Sequence, residues 1–222
     1  MRKWWIIIFL FGCSGQTLLE GWEKRSEKEP VSVLREIGDS LSSPSFRRKA
    51  SLDPTSDKIL DLALRIALSL NYRDMPIDSL IEAAQGLKGV IAFLYDFGKF
   101  DENWTNSIFA YKQILKSALV KMEKINSLDS LEYITKALEP VIMAGSYRGD
   151  YERLIDLYRE RSVSDGTVRW GMSEEDVIKV FGEPERVDTV YSVSMGSFGK
   201  MMIWKDKGVL VVDGKVYEVF ER

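Results

Sequence analysis

Cys13 is the only thiol among 222 residues, and the chain contains no histidine. Together these facts remove most of the familiar side-chain chemistry. Ser-His-Asp and Cys-His nucleophiles need an imidazole. Protein zinc sites are built from cysteine and histidine, and one thiol excludes nearly all of them. An internal disulfide is likewise impossible. The stretch MGSFGKMM holds Gly196, Gly199 and Lys200, but a phosphate-binding loop needs four residues between its glycines and a Ser or Thr after its lysine, and Met201 follows Lys200. With 34 acidic residues, a carboxylate pair acting on glycans stays open, yet no pair is marked by its spacing. A net charge of −3 and the lack of a basic stripe argue against nucleic acid as a partner. The expectation is a protein with no catalytic residues, no metal and no cofactor.

The elements that position Cys13 come first. Arg2 and Lys3 open the chain, Trp4 to Phe11 is apolar, and Gly12, Cys13 and the polar Ser14, Gly15 and Gln16 follow. A basic start, a short apolar core and small residues at its end form a secretory signal peptide. The run is shorter than the about 20 residues a membrane span requires. The junction Leu10-Phe11-Gly12-Cys13 resembles the lipobox of bacterial lipoproteins. That resemblance implies residues 1–12 as a signal peptide, cleavage before Cys13 and lipidation of Cys13. Each buried methylene contributes about 0.8 kcal/mol, so two or three chains would hold the protein on the membrane. Ser14 stands where an Asp would imply inner-membrane retention, which implies the outer membrane, facing the periplasm.

Residues 13–51 read as a lipid-anchored flexible tether, because EGWEKRSEKEP is highly charged and SLSSPSFRRKAS is rich in serine. Val31 to Ile37 is amphipathic enough for a turn or two of helix. Residues 52–162 read as a helical domain. Asp53 and Pro54 are suited to start a helix carrying Ile59, Leu62, Ala63, Ile66 and Leu70. Further three- and four-residue spacings run from Ile77 to Leu94, from Trp104 to Ile125, from Ser130 to about Ala144 with a kink at Pro140, and through DYERLIDLYRER. Short connections between these segments predict a bundle or a helical-hairpin array.

Residues 167–222 differ. In GMSEEDVIKVFGEP, Ser173 is a good N-cap, Asp176 completes a capping box, and Met172 with Val177 is placed for a hydrophobic staple. Gly182 is placed for a left-handed helix terminus, and Pro184 stops continuation. RVDTVYSVS and KMMIWK then read as strands joined by MGSFG, and Asp213-Gly214 as a tight turn before KVYEVFE. The fold class is α+β: an all-α bundle or hairpin array, then a small helix with a three- to four-stranded antiparallel sheet. One short helix covers only one face of such a sheet. Aromatic residues are therefore expected on the other face or in the loops, and Phe198 and Tyr217 are the candidate partner-binding residues, with Trp204 in the core.

Gly171, Met172, Ser173, Val177, Gly182, Pro184 and Trp204 together resemble the SmpA/OmlA family, the BamE type of outer-membrane assembly lipoprotein, over the last quarter of the chain. The resemblance implies a bacterial envelope component that binds another envelope protein, attached to the membrane through its N-terminal lipid. These seven residues also have structural explanations as caps, turns and core. Two other functions stay open: a carboxylate-dependent cell-wall glycan enzyme, and an inhibitor or small-ligand-binding module using the sheet face.

Overall fold

Leu19 and Trp22, then Val33, Leu34, Ile37 and Leu41, recur at helical spacing, and all six are buried. They belong to two helices, α1 (Gly15–Ser26) and α2 (Pro30–Ser42), followed by α3 (Pro44–Ala50). The computed structural model describes residues 15–50, 55–142, 145–192 and 197–221. Over this stretch the expected tether is replaced by packed helix. Charge density suggested a solvated chain, but Val33, Leu34, Ile37 and Leu41 of α2 leave water completely, and each such burial contributes about 1.5–3 kcal/mol. Glu36 ties the pair together, accepting hydrogen bonds from Trp22 Nε1 at 3.1 Å and from Arg25 at 2.8 and 2.9 Å.

The remaining helices are α4 (Thr55–Ser69), α5 (Ile77–Asp96), α6 (Glu102–Met122), α7 (Leu128–Ala137), α8 (Gly145–Ser164) and α9 (Glu174–Phe181). Two compact units divide the chain. One runs to Lys121 and takes up Ala137–Tyr151, and the other comprises Met122–Lys136 and the chain from Glu152 onward. The boundary expected between 162 and 167 therefore does not separate compact bodies: α7 up to Lys136 and most of α8 belong with the C-terminal sheet.

In the first unit, α2 and α5 meet at glycines. A Cβ on Gly38 would lie 2.1 Å from the Gly86 carbonyl oxygen, and one on Gly89 2.1 Å from the Gly38 oxygen. Only side-chain-free positions let two backbones approach so closely. Lys88, between Gly86 and Gly89, donates from Nζ to the last carbonyl of α7, Ala137, at 2.8 Å. That helix ends there and does not continue through a kink at Pro140. A residue preceding proline is pushed out of the α region, so Glu139 is a poor position from which to extend it. The expected caps Asp53 and Pro54 lie outside the described residues.

In the second unit, β1 (Arg186–Ser192), β2 (Ser197–Ile203), β3 (Lys207–Val212) and β4 (Lys215–Glu221) form one antiparallel sheet in sequential order. This is the α+β class that the sequence predicted. Asp213 and Gly214 both adopt positive φ, 51° and 75°, as a two-residue hairpin turn of the primed type demands. Met172, Val177, Met202, Trp204, Val209, Val211 and Val216 form the core between α9 and the sheet. Among the described residues no helix is long and apolar enough to cross a membrane.

Candidate protein interface

The C-terminal module is assembled around Asp176. Ser173 Oγ accepts from the Asp176 backbone N–H at 3.2 Å, and the Asp176 carboxylate accepts from the Ser173 backbone N–H at 3.0 Å, closing the capping box. The same carboxylate accepts from Ser173 Oγ at 2.7 Å, from Arg159 Nε at 2.8 Å and from Arg159 Nη2. Burial pushes the Asp176 carboxyl up, and the bonds from Ser173 and Arg159 more than reverse this, bringing it down to about 2. Asp176 also lines an open cleft of about 340 Å³ with Asp156, Arg159, Glu160, Val163 and Lys179. A carboxylate held ionised by this many donors is a poor proton donor near neutral pH, so here it joins α8 to α9.

Arg169 makes a second clamp. It donates to Asp129 at 2.6 Å and to Glu132 at 3.3 Å, while Tyr158 donates to Glu132 at 2.9 Å. Burial raises the Glu132 carboxyl, and Lys136, Tyr158 and Arg169 outweigh it, so its pKa is lowered. Lys136 sits 5.0 Å above the Trp170 ring. None of these long-range partners follows from local spacing.

The residues singled out in the sequence take these places. Gly171, at φ 80°, donates to the Val216 carbonyl at 2.8 Å, and Val216 donates back to Met172 at 2.7 Å. Met172 and Val177 are fully buried. Gly182 is not in the left-handed helical region: its φ of 76° is paired with ψ of −174°, an extended mirror conformation open essentially to glycine alone. This turns the chain sharply, past the half-buried Pro184, so that Glu185 donates to the Ile203 carbonyl at 2.8 Å and opens the sheet. Trp204 is buried, donates to the Gly182 carbonyl at 3.3 Å and stacks edge-on with Phe181 at 5.5 Å. Cys13 lies outside the described residues.

Phe198 and Tyr217 do not form one patch. Phe198 is in β2, not in a glycine-flanked loop, because that strand begins at Ser197. Tyr217 lies in β4, at the register shift where Val211 pairs with Val216 but Leu210 with Glu218. β3 separates the two strands. The partner of Phe198 is Tyr191, directly opposite in β1, with ring centroids 5.1 Å apart and 63° between planes. Phe198 is 70% exposed, Tyr191 55% and Val187 50%.

Alternation along β1 and β2 puts Val187, Tyr191 and Phe198 on the same face as Met202 and Lys200. That is the face α9 covers, since Lys200 pairs with Glu174 at 2.9 Å. The aromatic pair is therefore on the covered face, beyond the reach of an eight-residue helix only about 12 Å long. The opposite face, expected to be open, has Ile203, Leu210 and Val212 buried. Part of the reason is Gly199: a Cβ there would sit 3.1 Å from a Val212 methyl and 3.2 Å from a Leu210 methyl, so these side chains close over it. The Tyr191 pairing was missed at the sequence level. Its available signal was the near-equal distance of both aromatics from the centre of the hairpin.

Comparison with protein families, with curated proteins and with solved structures yields no match for this chain.

Proposed function

We propose that this protein is a lipid-anchored component of the bacterial cell envelope that binds another envelope protein without catalysing a reaction. The observation that carries the reading is the Tyr191–Phe198 pair, two aromatic rings in edge contact that remain more than half exposed on the sheet. Large aromatic side chains are the commonest anchors of protein interfaces, and this pair is already held in register by the β1–β2 ladder, so little order is lost on binding. The N-terminal junction at Cys13 and the resemblance of Gly171–Trp204 to outer-membrane assembly lipoproteins support an envelope location.

A photoreactive residue at position 198, in intact cells, is expected to capture a discrete envelope protein. Phe198→Ala and Tyr191→Ala should each weaken that capture by about 2 kcal/mol while leaving the melting curve nearly unchanged. Capture that persists at full strength in both variants refutes the interface. Metabolic labelling with a fatty acid should mark the wild type and miss Cys13→Ser, and equal labelling of the two refutes the anchor.

A further inference from the structure

Tyr95, Phe100 and Trp104 form an exposed aromatic cluster where α5 passes into α6. Phe100 lies edge-on to Trp104 at 5.1 Å and to Tyr95 at 6.0 Å, and Tyr95 is 6.4 Å from Trp104. Phe100 is 59% exposed and Tyr95 50%. Trp104 is half-buried, and the two rings that meet it stay open to water at the tip of a helical hairpin.

The contacts of the first unit show which end this is. α1 and α2 are joined by the short connection Glu27–Glu29, and Trp22 and Arg25 both reach Glu36. The two helices are therefore antiparallel, and Gly15 returns to the end where α2 finishes at Ser42. α2 leads to α3, where Phe46 lies 6.3 Å from Phe93 and Arg47 pairs with Asp96 at the C-terminal end of α5. Glu23 lies 4.0 Å from Arg65, while Asp57, nearer the start of α4, pairs with Lys99. By all these contacts Gly15 begins at the same end of the unit as the aromatic tip. Cys13 precedes Gly15 by two residues, too little chain to carry an anchor elsewhere, since each residue spans at most about 3.6 Å.

We propose that Tyr95, Phe100 and Trp104 insert into the headgroup region of the membrane that holds Cys13, so that the helical unit rests on the lipid surface. This inference depends on the lipid anchor proposed above. Tyr95 and Trp104 suit that region because an apolar body with a polar tip matches its gradient, and Phe100 adds apolar area to bury. The charges at this end do not oppose contact. Asp57 and Asp96 are paired with Lys99 and Arg47, and Asp101 accepts from the backbone N–H of Asn103 and Trp104 at the start of α6. Glu102, Arg48 and Lys58 are exposed, which leaves the surface close to neutral. With little net charge to steer it, the contact would be driven by the rings, at a depth of about 5–10 Å.

The test uses the full acylated chain. Acylation blocks Cys13, so an introduced cysteine is the one site a thiol-directed fluorophore can reach. Phe100→Cys and Leu68→Cys, the latter near the opposite end of α4, are labelled and reconstituted in vesicles of phosphatidylethanolamine and phosphatidylglycerol. Part of the lipid carries a nitroxide near the headgroup. Quenching severalfold stronger at position 100 than at 68 is the expected result, with Tyr95→Cys as the second site should Phe100→Cys fail to fold. Equal quenching at the two ends of an acylated, vesicle-bound chain overturns the membrane contact and leaves the anchor standing. A wild-type Cys13 that accepts the fluorophore overturns the anchor, and the proposal with it. A Cys13→Ser, Phe100→Cys chain in water should show an open label, and shielding there assigns the tip to a second copy of the protein and overturns contact with lipid.

Discussion

At the scale of single residues, Asp176 links the pH dependence of stability to the fold. Its folded pKa, near 2, is below the usual carboxylate value of about 3.9. A depressed folded pKa contributes stability that is fully present above the unfolded pKa. That contribution fades as the pH falls toward the folded value. The shift corresponds to about 2 kcal/mol. Asp176→Asn should therefore destabilise the protein by about that amount at pH 7, and the gap between wild type and variant should narrow from about pH 4 to pH 2. Urea unfolding across that range tests this, and a gap that does not change with pH would rule out the ionised carboxylate as its source. Gly182 makes a different contribution. A Cβ there meets no atom within 4 Å, so any penalty for a side chain comes from the backbone alone. Gly182→Ala should cost about 2 kcal/mol, and Gly182→Val more, because a β-branched side chain is tolerated least at positive φ. An alanine variant as stable as the wild type would show that φ is not limiting.

At the scale of elements, the α2–α5 crossing and α1 make opposite predictions for the same kind of change. A Cβ at Gly86 would lie 2.6 Å from the Leu34 carbonyl oxygen, so Gly86→Val must push two helix backbones apart. A loss of about 3 kcal/mol is expected. Gly21, in α1, has nothing within 4 Å of a new Cβ. Gly21→Ala should instead stabilise by up to about 1 kcal/mol through helix propensity. Denaturant midpoints of the two variants, measured in parallel, decide whether the crossing is as close as described, and similar small effects at both sites would count against it.

At the scale of the whole molecule, the C-terminal sheet depends on residues far from it in sequence. Arg159 holds Asp176, and Glu132 holds Arg169 and Tyr158. A fragment of residues 122–222 keeps these partners, whereas residues 167–222 lose all those supplied by α7 and α8. The shorter fragment should melt at lower temperature or fail to give a near-ultraviolet dichroism signal. Indistinguishable melting of the two would show that the clamps add nothing to the module.

What local sequence determined is the run of helices from α4 onward, the capping box at Ser173, the Asp213-Gly214 turn and the strands of the C-terminal sheet. Each depends on interactions within a few residues, where periodicity, cap chemistry and turn preference are written directly in the chain. Tertiary structure decided the rest. α1 and α2 looked like a charged tether because charge is counted along the chain. Their stability comes from apolar residues meeting α4 and α5, and from Gly38 closing on Gly86. Phe198 could be picked from its loop-like neighbourhood, but its pairing with Tyr191 needed the strand register. The aromatic tip at Tyr95, Phe100 and Trp104 looked like a helix break, and only the antiparallel return of α1 places it at the end of the unit where the chain leads back to Cys13. In each case the missing information was distance between residues remote in sequence, which one-dimensional spacing does not contain.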